Sequence, residues 1–240
     1  MSVLALCLAG PLQAWGSSAR FARRTTENVP TKSGVLGMLA AAQGRDRAAD
    51  VSDLAELRFG VRVDQRGTRI RDFQTAHHTE TGNAMPVSER FYLADAVFVA
   101  GVEGDGDLIA ALHRAVRSPV YLPYLGRRSC PPSRPVDIGA FDGTDAVLED
   151  VFRSVEWQAA EHHRRRRSGE RRVALPVFMD AAEGDREKNS RRDLPVSFDP
   201  RHRRYALRDV KADTVEVPNP THRAPAAPSH HDPMPPLGGD

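Results

Sequence analysis

Apolar and polar positions change their period along the chain, and each change marks an element. Residues 3–9, VLALCLA, are apolar without interruption and stop at Gly10-Pro11, the pattern of a central strand covered on both faces. After a polar loop through Arg20, Arg23 and Arg24, the stretch PTKSGVLGMLAAAQG at 30–44 predicts a helix that Thr31 or Ser33 caps and that runs to Gln43 before Gly44 ends it. LRFGVRV at 57–63 alternates, with Leu57, Phe59, Val61 and Val63 on one side and Arg58 and Arg62 on the other, which predicts a half-buried strand with a basic outer face. Between about 64 and 90 no period persists, and Gly67, Gly82, Asn83 and the pair His77-His78 predict a protruding hairpin or long loop. YLADAVFVA at 92–100 reads as the next strand. After the turn GDGD, Asp107 is the expected cap of a helix in which Leu108, Ile109, Leu112 and Val116 share a face.

Strand, helix, strand, insertion, strand, helix is the start of a ferredoxin-like βαββαβ unit, a topology shared with RNA-recognition modules. The expected fold class is therefore α+β, with a ferredoxin-like (RRM-like) domain over residues 1–148 that carries the insertion at about 64–90. A smaller β-rich part is expected over 149–217, where DVFRSVEW at 150–157, RVALPVFM at 172–179, RRYALRDV at 203–210 and TVEVP at 214–218 read as strands. Residues 218–240 are proline-rich without a hydrophobic period and are expected to form a disordered or extended tail.

At 240 residues and 40% hydrophobic content the chain can bury a substantial core. Its charges nearly cancel to a formal +2, so their distribution carries more information than their sum. Cys7 and Cys130 are too few for a disulfide framework or a cysteine-built zinc site, and both read as free thiols of a reducing cytoplasm. The first apolar run lacks a basic leader and a cleavage site, and no run approaches the length of a bilayer span, so a soluble intracellular protein is expected.

The candidate chemistry lies in three places. YLPYLGRRSCP at 121–131 combines Tyr121 and Tyr124 for stacking, Gly126 for close backbone approach, and Arg127 and Arg128 as paired cationic forks, suited to a nucleic-acid strand if the arginines are not merely solvated. HHRRRRSGERR at 162–172, followed by a second basic segment at 186–192, is either a polyanion-binding loop or a solvated run. PTKSG at 30–34 lacks the glycines of a P-loop but offers a helix start, a lysine and two hydroxyls to one phosphate; an ordinary capped helix explains it equally. His77, His78, His113, His162 and His163 fall in no metal-ligand spacing, which leaves metal-free acid–base work on a ribose 2′-hydroxyl as the one catalytic option for paired histidines.

Taken together, LAGPLQAWG at 8–16, PTKSGVLGMLAAAQG at 30–44 and PYLGRRSCPPSRP at 123–135 resemble the CasD-type subunits of the type I-E CRISPR complex Cascade, in the fifth Cas family of the RAMP superfamily. The resemblance covers roughly residues 1–135 and fades beyond them. It implies a ferredoxin-like domain in which the insertion at 64–90 is a β-hairpin thumb, with a smaller C-terminal β element. It also implies an RNA-binding role without catalysis or cofactor: holding the repeat-derived 5′ handle of the CRISPR RNA, contacting the CasC backbone and the large CasA subunit, and meeting target DNA through the assembled complex. Carried onto this sequence, the RNA-binding residues are Gln13, Trp15, Gly16, Lys32, Ser33, Tyr124, Gly126, Arg127, Arg128 and Ser129, with Trp15 equally readable as a core or interface aromatic. Because some relatives in another subtype cut the repeat themselves, a metal-independent endoribonuclease is the alternative.

Overall fold

The computed structural model describes residues 1–16, 23–143 and 146–223, so Arg20 and the tail beyond Arg223 lie outside the described residues. In chain order the elements are β1 (Ser2–Ala9), β2 (Leu12–Gln13), β3 (Arg23–Arg24), α1 (Lys32–Ala42), α2 (Ser52–Ala55), β4 (Arg58–Gln65), β5 (Thr68–Gln74), β6 (Ser88–Ala94), β7 (Val97–Gly104), α3 (Gly106–Arg117), β8 (Asp137–Asp142), α4 (Leu148–Ser154), α5 (Glu161–Arg166), β9 (Arg172–Asp180), β10 (Asn189–Ser197) and β11 (Arg204–Pro218). Mixed α/β, the molecule is organised on one large antiparallel sheet with strand order β10-β11-β9-β4-β7-β1-β8. β5 and β6 form a hairpin outside it, and β2 and β3 pair with the other edge of β6. No described helix is long and apolar enough to cross a membrane.

The uninterrupted apolar run of β1 is explained by what covers it. All eight of its residues are buried. Leu4, Leu6 and Leu8 pack with α1 and α3 in one core, and Val3 and Ala5 pack with α4, Trp157 and β9 in a second core across the sheet. α1 starts at Thr31, whose hydroxyl accepts from the Gly34 N–H at 3.2 Å, and ends at Gly44, whose φ of +79° suits only glycine well. The cap of α3 is Asp105 rather than Asp107: its carboxylate accepts from the N–H groups of Asp107 (3.0 Å) and Leu108 (3.1 Å), which leaves Asp107 inside the first turn.

Several other expectations are corrected. The alternation at 57–63 does not expose a basic face, because α4 and Trp157 cover the second side of β4 and bury Arg62 completely. Residues 92–100 form not one strand but parts of two: Asp95, at φ 57°, breaks the run and passes the chain from the hairpin to the main sheet. The expected strand at 150–157 is helix α4, with Leu148, Val151, Phe152 and Val155 buried at the i, i+3, i+4, i+7 spacing of a helix. β10 was hidden by its charges and by Pro195, which an edge strand tolerates. The two strands expected at 203–210 and 214–218 are one, since Lys211, Ala212 and Asp213 stay in register opposite Met179, Phe178 and Val177. β9 pairs directly with β4, so the C-terminal strands extend the same sheet.

Candidate nucleic-acid interface

The site is assembled where the segment after β1 meets the loop at 124–130. The Ala14 N–H donates to Leu125 O at 3.0 Å, and a Cβ at residue 126 would stand 1.8 Å from Ala14 O, so the loop closes only because Gly126, at φ +83°, has none. The close approach that Gly126 permits is thus to the chain itself. Gln13 is fully buried: its amide donates to Leu8 O (3.0 Å) and Ala96 O (2.8 Å), and its carbonyl accepts from Trp15 Nε1 at 3.0 Å. Trp15 is buried with the β1 leucines and its N–H donates to Thr26 Oγ1 at 2.9 Å. Trp15 forms the floor of a groove rather than its open wall, and Gln13 supports it from within.

That groove, about 510 Å³ in volume, is bounded by Trp15, Gly16, Arg24, Thr25, Ser33, Gly34, Gly126, Arg127, Arg203 and Tyr205, with Ala14 and Thr31 beneath. Arg24 and Arg203 are exposed, and neither side chain hydrogen-bonds or ion-pairs to a carboxylate among the described residues. Arg127 is held more firmly. Its guanidinium donates to Phe91 O (3.1 Å) and Arg24 O (3.0 Å) and stacks 4.7 Å from the Tyr92 ring, tying the loop to the hairpin. Among the described residues, three guanidinium groups and no carboxylate therefore face one cavity. Burial pushes the Tyr205 phenol above its usual pKa against the opposing effect of Arg203, so it stays protonated, a donor with an aromatic face.

The start of α1 contributes less than its sequence promises. The Lys32 N–H donates to Asp193 Oδ2 at 2.9 Å and the Gly34 N–H is taken by Thr31, so the Ser33 N–H and hydroxyl are the groups of this turn left without a partner among the described residues. Lys32 itself is buried, with its ammonium 2.9 Å from Asp180. Burial pulls the Lys32 pKa down against Asp180. Arg208 bridges Asp180 (2.6 Å) and Asp193 (2.7 Å), completing a cluster of four charges under the groove.

The groove thus unites Trp15, Gly16, Ser33, Gly126 and Arg127, while Gln13 and Lys32 lie beneath it. Arg128 does not sit beside Arg127: with Tyr124 it lines a second depression of about 650 Å³, shared with Tyr121, Leu122 and Arg47. Ser129 is exposed and lines neither, its hydroxyl 3.9 Å from Cys130 Sγ. Sequence reasoning missed Arg203 and Tyr205 and passed over Arg24 as loop. An arginine-tyrosine interleave at 203–205 was a visible signal, but its place beside α1 follows from distant contacts, among them Arg208–Asp193 and Lys32–Asp180–Arg208.

A groove of this size with cations, hydroxyls and two aromatics, Tyr205 on its wall and Trp15 on its floor, suits a phosphate-bearing strand with splayed bases. The sequence model of the family described as CRISPR-associated protein (Cas_Cas5) matches residues 3–211, and the chain belongs to that family. It is 37% identical over 164 residues to the CRISPR system Cascade subunit CasD of Escherichia coli (strain K12), a match spanning 60% of this chain and 73% of that protein. Two solved structures align with 93% of it: a Cas protein crystal structure, 36% identical with TM-score 0.68 over 98% of that chain, and a chain of a CRISPR RNA-guided surveillance complex, 31% identical with TM-score 0.72 over 94%. The chain is therefore homologous to a Cascade subunit.

Proposed function

We propose that this chain is a non-catalytic RNA-holding subunit of a Cascade-type surveillance complex, serving antiviral defence in the cytoplasm, and that its groove grips the single-stranded 5′ handle of the CRISPR RNA. The observation that carries the reading is the convergence of Arg24, Arg127 and Arg203 on one cavity that, among the described residues, holds no carboxylate and lies beside an unpartnered Ser33. Phosphates meet the guanidinium groups and the Ser33 N–H, while a base stacks on Tyr205. The order β4-β7-β1-β8, with α1 and α3 packed on one face, supports a ferredoxin-like unit, and the β5–β6 hairpin is then its thumb. In this reading the partners are the CasC backbone and the CasA subunit, and target DNA is reached through the assembly.

His77 and His78 support no catalytic role. Both are exposed at the hairpin tip, where His77 makes an isolated bridge to Ala84 and the Thr81 N–H reaches His78 Nδ1 at 3.4 Å. A metal-free ribonuclease must hold its acid and base within hydrogen-bond reach of the scissile group, and an open tip provides no such frame. The test is binding of a 5′-handle oligonucleotide in EDTA across a salt series. Replacing Arg24 and Arg203 by Ala should weaken binding and reduce the log–log salt slope by about 1.4, from roughly 0.7 per lost single-strand phosphate contact. An unchanged slope removes the groove from consideration. Unique cleavage of repeat RNA in EDTA, abolished by H77A/H78A, replaces this reading with the metal-independent endoribonuclease.

A further inference from the structure

The basic run at 162–172 takes no part in the groove. Trp157, buried with Val3, Ala5 and Val99 on the second face of the sheet, meets the His163 ring edge-on at 5.9 Å and lies 5.5 Å beneath the Arg167 guanidinium. α5 is therefore on the face opposite to Trp15 and the groove, whose core contains Leu4, Leu6 and Leu8. The run is also firmly placed. Buried Asn219 donates its N–H to Arg171 O (3.0 Å) and its amide to Arg167 O (2.7 Å) and Glu170 O (3.1 Å), and the Arg223 N–H donates to Ser168 O at 2.9 Å. These bonds fasten the chain after β11 to the turn after α5 and bring Arg223 and Arg165 to one cleft of about 550 Å³.

Local acids neutralise part of the charge: Arg164 pairs with Glu156, Arg165 with Glu161, Arg167 with Glu170 and Arg172 with Glu216. Arg166, Arg171 and Arg223 are exposed, and their side chains have no partner among the described residues. The surplus is felt next door, where burial, then Arg167, His162 and Arg166, hold His163 below the ordinary histidine pKa. None of the large exposed apolar side chains of the described residues falls within 156–172 or 219–223. A protein partner is usually met by an apolar centre, which this surface lacks, whereas a phosphodiester backbone needs only cations and releases its counterions to them.

We propose that the α5 face, through Arg166, Arg171 and Arg223, is a second nucleic-acid surface that binds phosphodiester backbone without reading sequence, on the side of the sheet opposite the groove. Two strands of nucleic acid can then occupy the two faces at once.

The test takes the full-length protein, a labelled mixed-sequence DNA duplex of about two helical turns and a single-stranded RNA of equal length, titrated across a salt series. Substituting R166A, R171A and R223A together should weaken duplex binding at least about tenfold and lower its salt slope by about 2.7, at roughly 0.9 per phosphate for three contacts. Single-strand binding in the groove should persist, and the three Arg→Lys substitutions should retain duplex binding. With the wild-type chain, duplex should still bind when one equivalent of unlabelled single strand fills the groove, too little to cover both faces, a measurement independent of how any variant folds. Mutual exclusion of the two probes overturns the proposal, as does unchanged duplex affinity and slope in the alanine variant. A loss confined to polyglutamate binding, with duplex untouched, overturns it in favour of an acidic protein partner.

Discussion

Arg62, Lys32 and Arg208 lie inside the molecule, while Arg24, Arg203 and the α5 arginines stand at its surface, although both groups come from similarly basic stretches of sequence. The difference is one of partners. Arg62 is fully buried and every arm is used: it forks onto Asp64 at 2.7 and 2.8 Å and donates to the carbonyls of Phe152, Val155 (2.7 Å) and Glu156 (3.0 Å). Asp64 in turn accepts from the Gln158 N–H at 2.5 Å, and its carbonyl accepts from Trp157 Nε1 at 2.8 Å. Desolvating these charges costs several kcal/mol per ion, so they are useful only as a complete set, and the set fixes the α4–α5 connection to β4. The Lys32–Asp180–Arg208–Asp193 cluster does the same for α1 and the C-terminal strands, which is how Arg203 and Tyr205 come to face Ser33. Interior cations position; surface cations with no carboxylate nearby are the ones free to bind.

The largest effect should follow from opening the first set. Arg62→Ala leaves Asp64 buried and unpaired and should cost about 3–5 kcal/mol in urea unfolding. Replacing Arg62 and Asp64 together by apolar residues of similar volume should cost much less. A single substitution that costs under about 1 kcal/mol would show that the interior pair is solvated and erase the distinction between the two groups.

Lys32 offers a sharper test because its sequence context made it a phosphate ligand. As an interior group, Lys32→Met should lower stability by about 1.5–3 kcal/mol, the scale of a lost charged hydrogen bond, and leave the salt slope for single-stranded RNA unchanged. The opposite pattern, intact stability with a slope reduced by roughly 0.7, would return Lys32 to the groove.

How much of this was legible depended on whether a residue's surroundings are local. β1 and α1 could be read because an apolar run and a Thr31-to-Gly44 frame report on themselves, and the three motifs of the first half converge on the groove. Arg62 looked solvent-facing because alternation shows which residues share a side but not whether that side is covered, and its cover comes from residues 148–157, far along the chain. α4 was misread because its helical spacing spans little more than two turns, too short to outweigh the β-branched Val151 and Val155. Arg127 and Arg128 are adjacent in sequence yet face different cavities, a separation set by the positive φ at Gly126 and the anchoring of Arg127 to Phe91 and Arg24. Arg203 and Tyr205 of the groove wall come from β11 and the residue before it, and no local pattern in 203–205 names α1 as their neighbour.

The smallest expected effect belongs to a pair midway between the two groups. Arg58 donates to both oxygens of Glu149 and to Glu103 at 3.0 Å, with Arg58 and Glu149 each about one-third exposed. The Arg58 guanidinium holds the Glu149 carboxyl below the ordinary glutamate pKa. A depressed carboxyl pKa means that the folded state binds this proton less readily than the unfolded chain, so the stabilisation is complete above the unfolded value and is lost as pH falls through the folded one. Solvent screening limits its size, and Glu149→Gln should cost roughly 0.2–1 kcal/mol near neutral pH. Urea unfolding of both proteins from neutral pH downward should show the two curves converging on acidification, as Glu149 takes up its proton first in the unfolded chain and then in the folded one. The Arg62→Ala deficit should converge only in part over the same range: protonation relieves the unpaired Asp64, whose pKa burial already raises, but the Phe152, Val155 and Glu156 carbonyls that Arg62 satisfies do not titrate. A Glu149→Gln deficit as large as that of Arg62→Ala, and equally persistent in acid, would place Arg58 among the interior cations and make exposure a poor guide to which arginines this protein can spare.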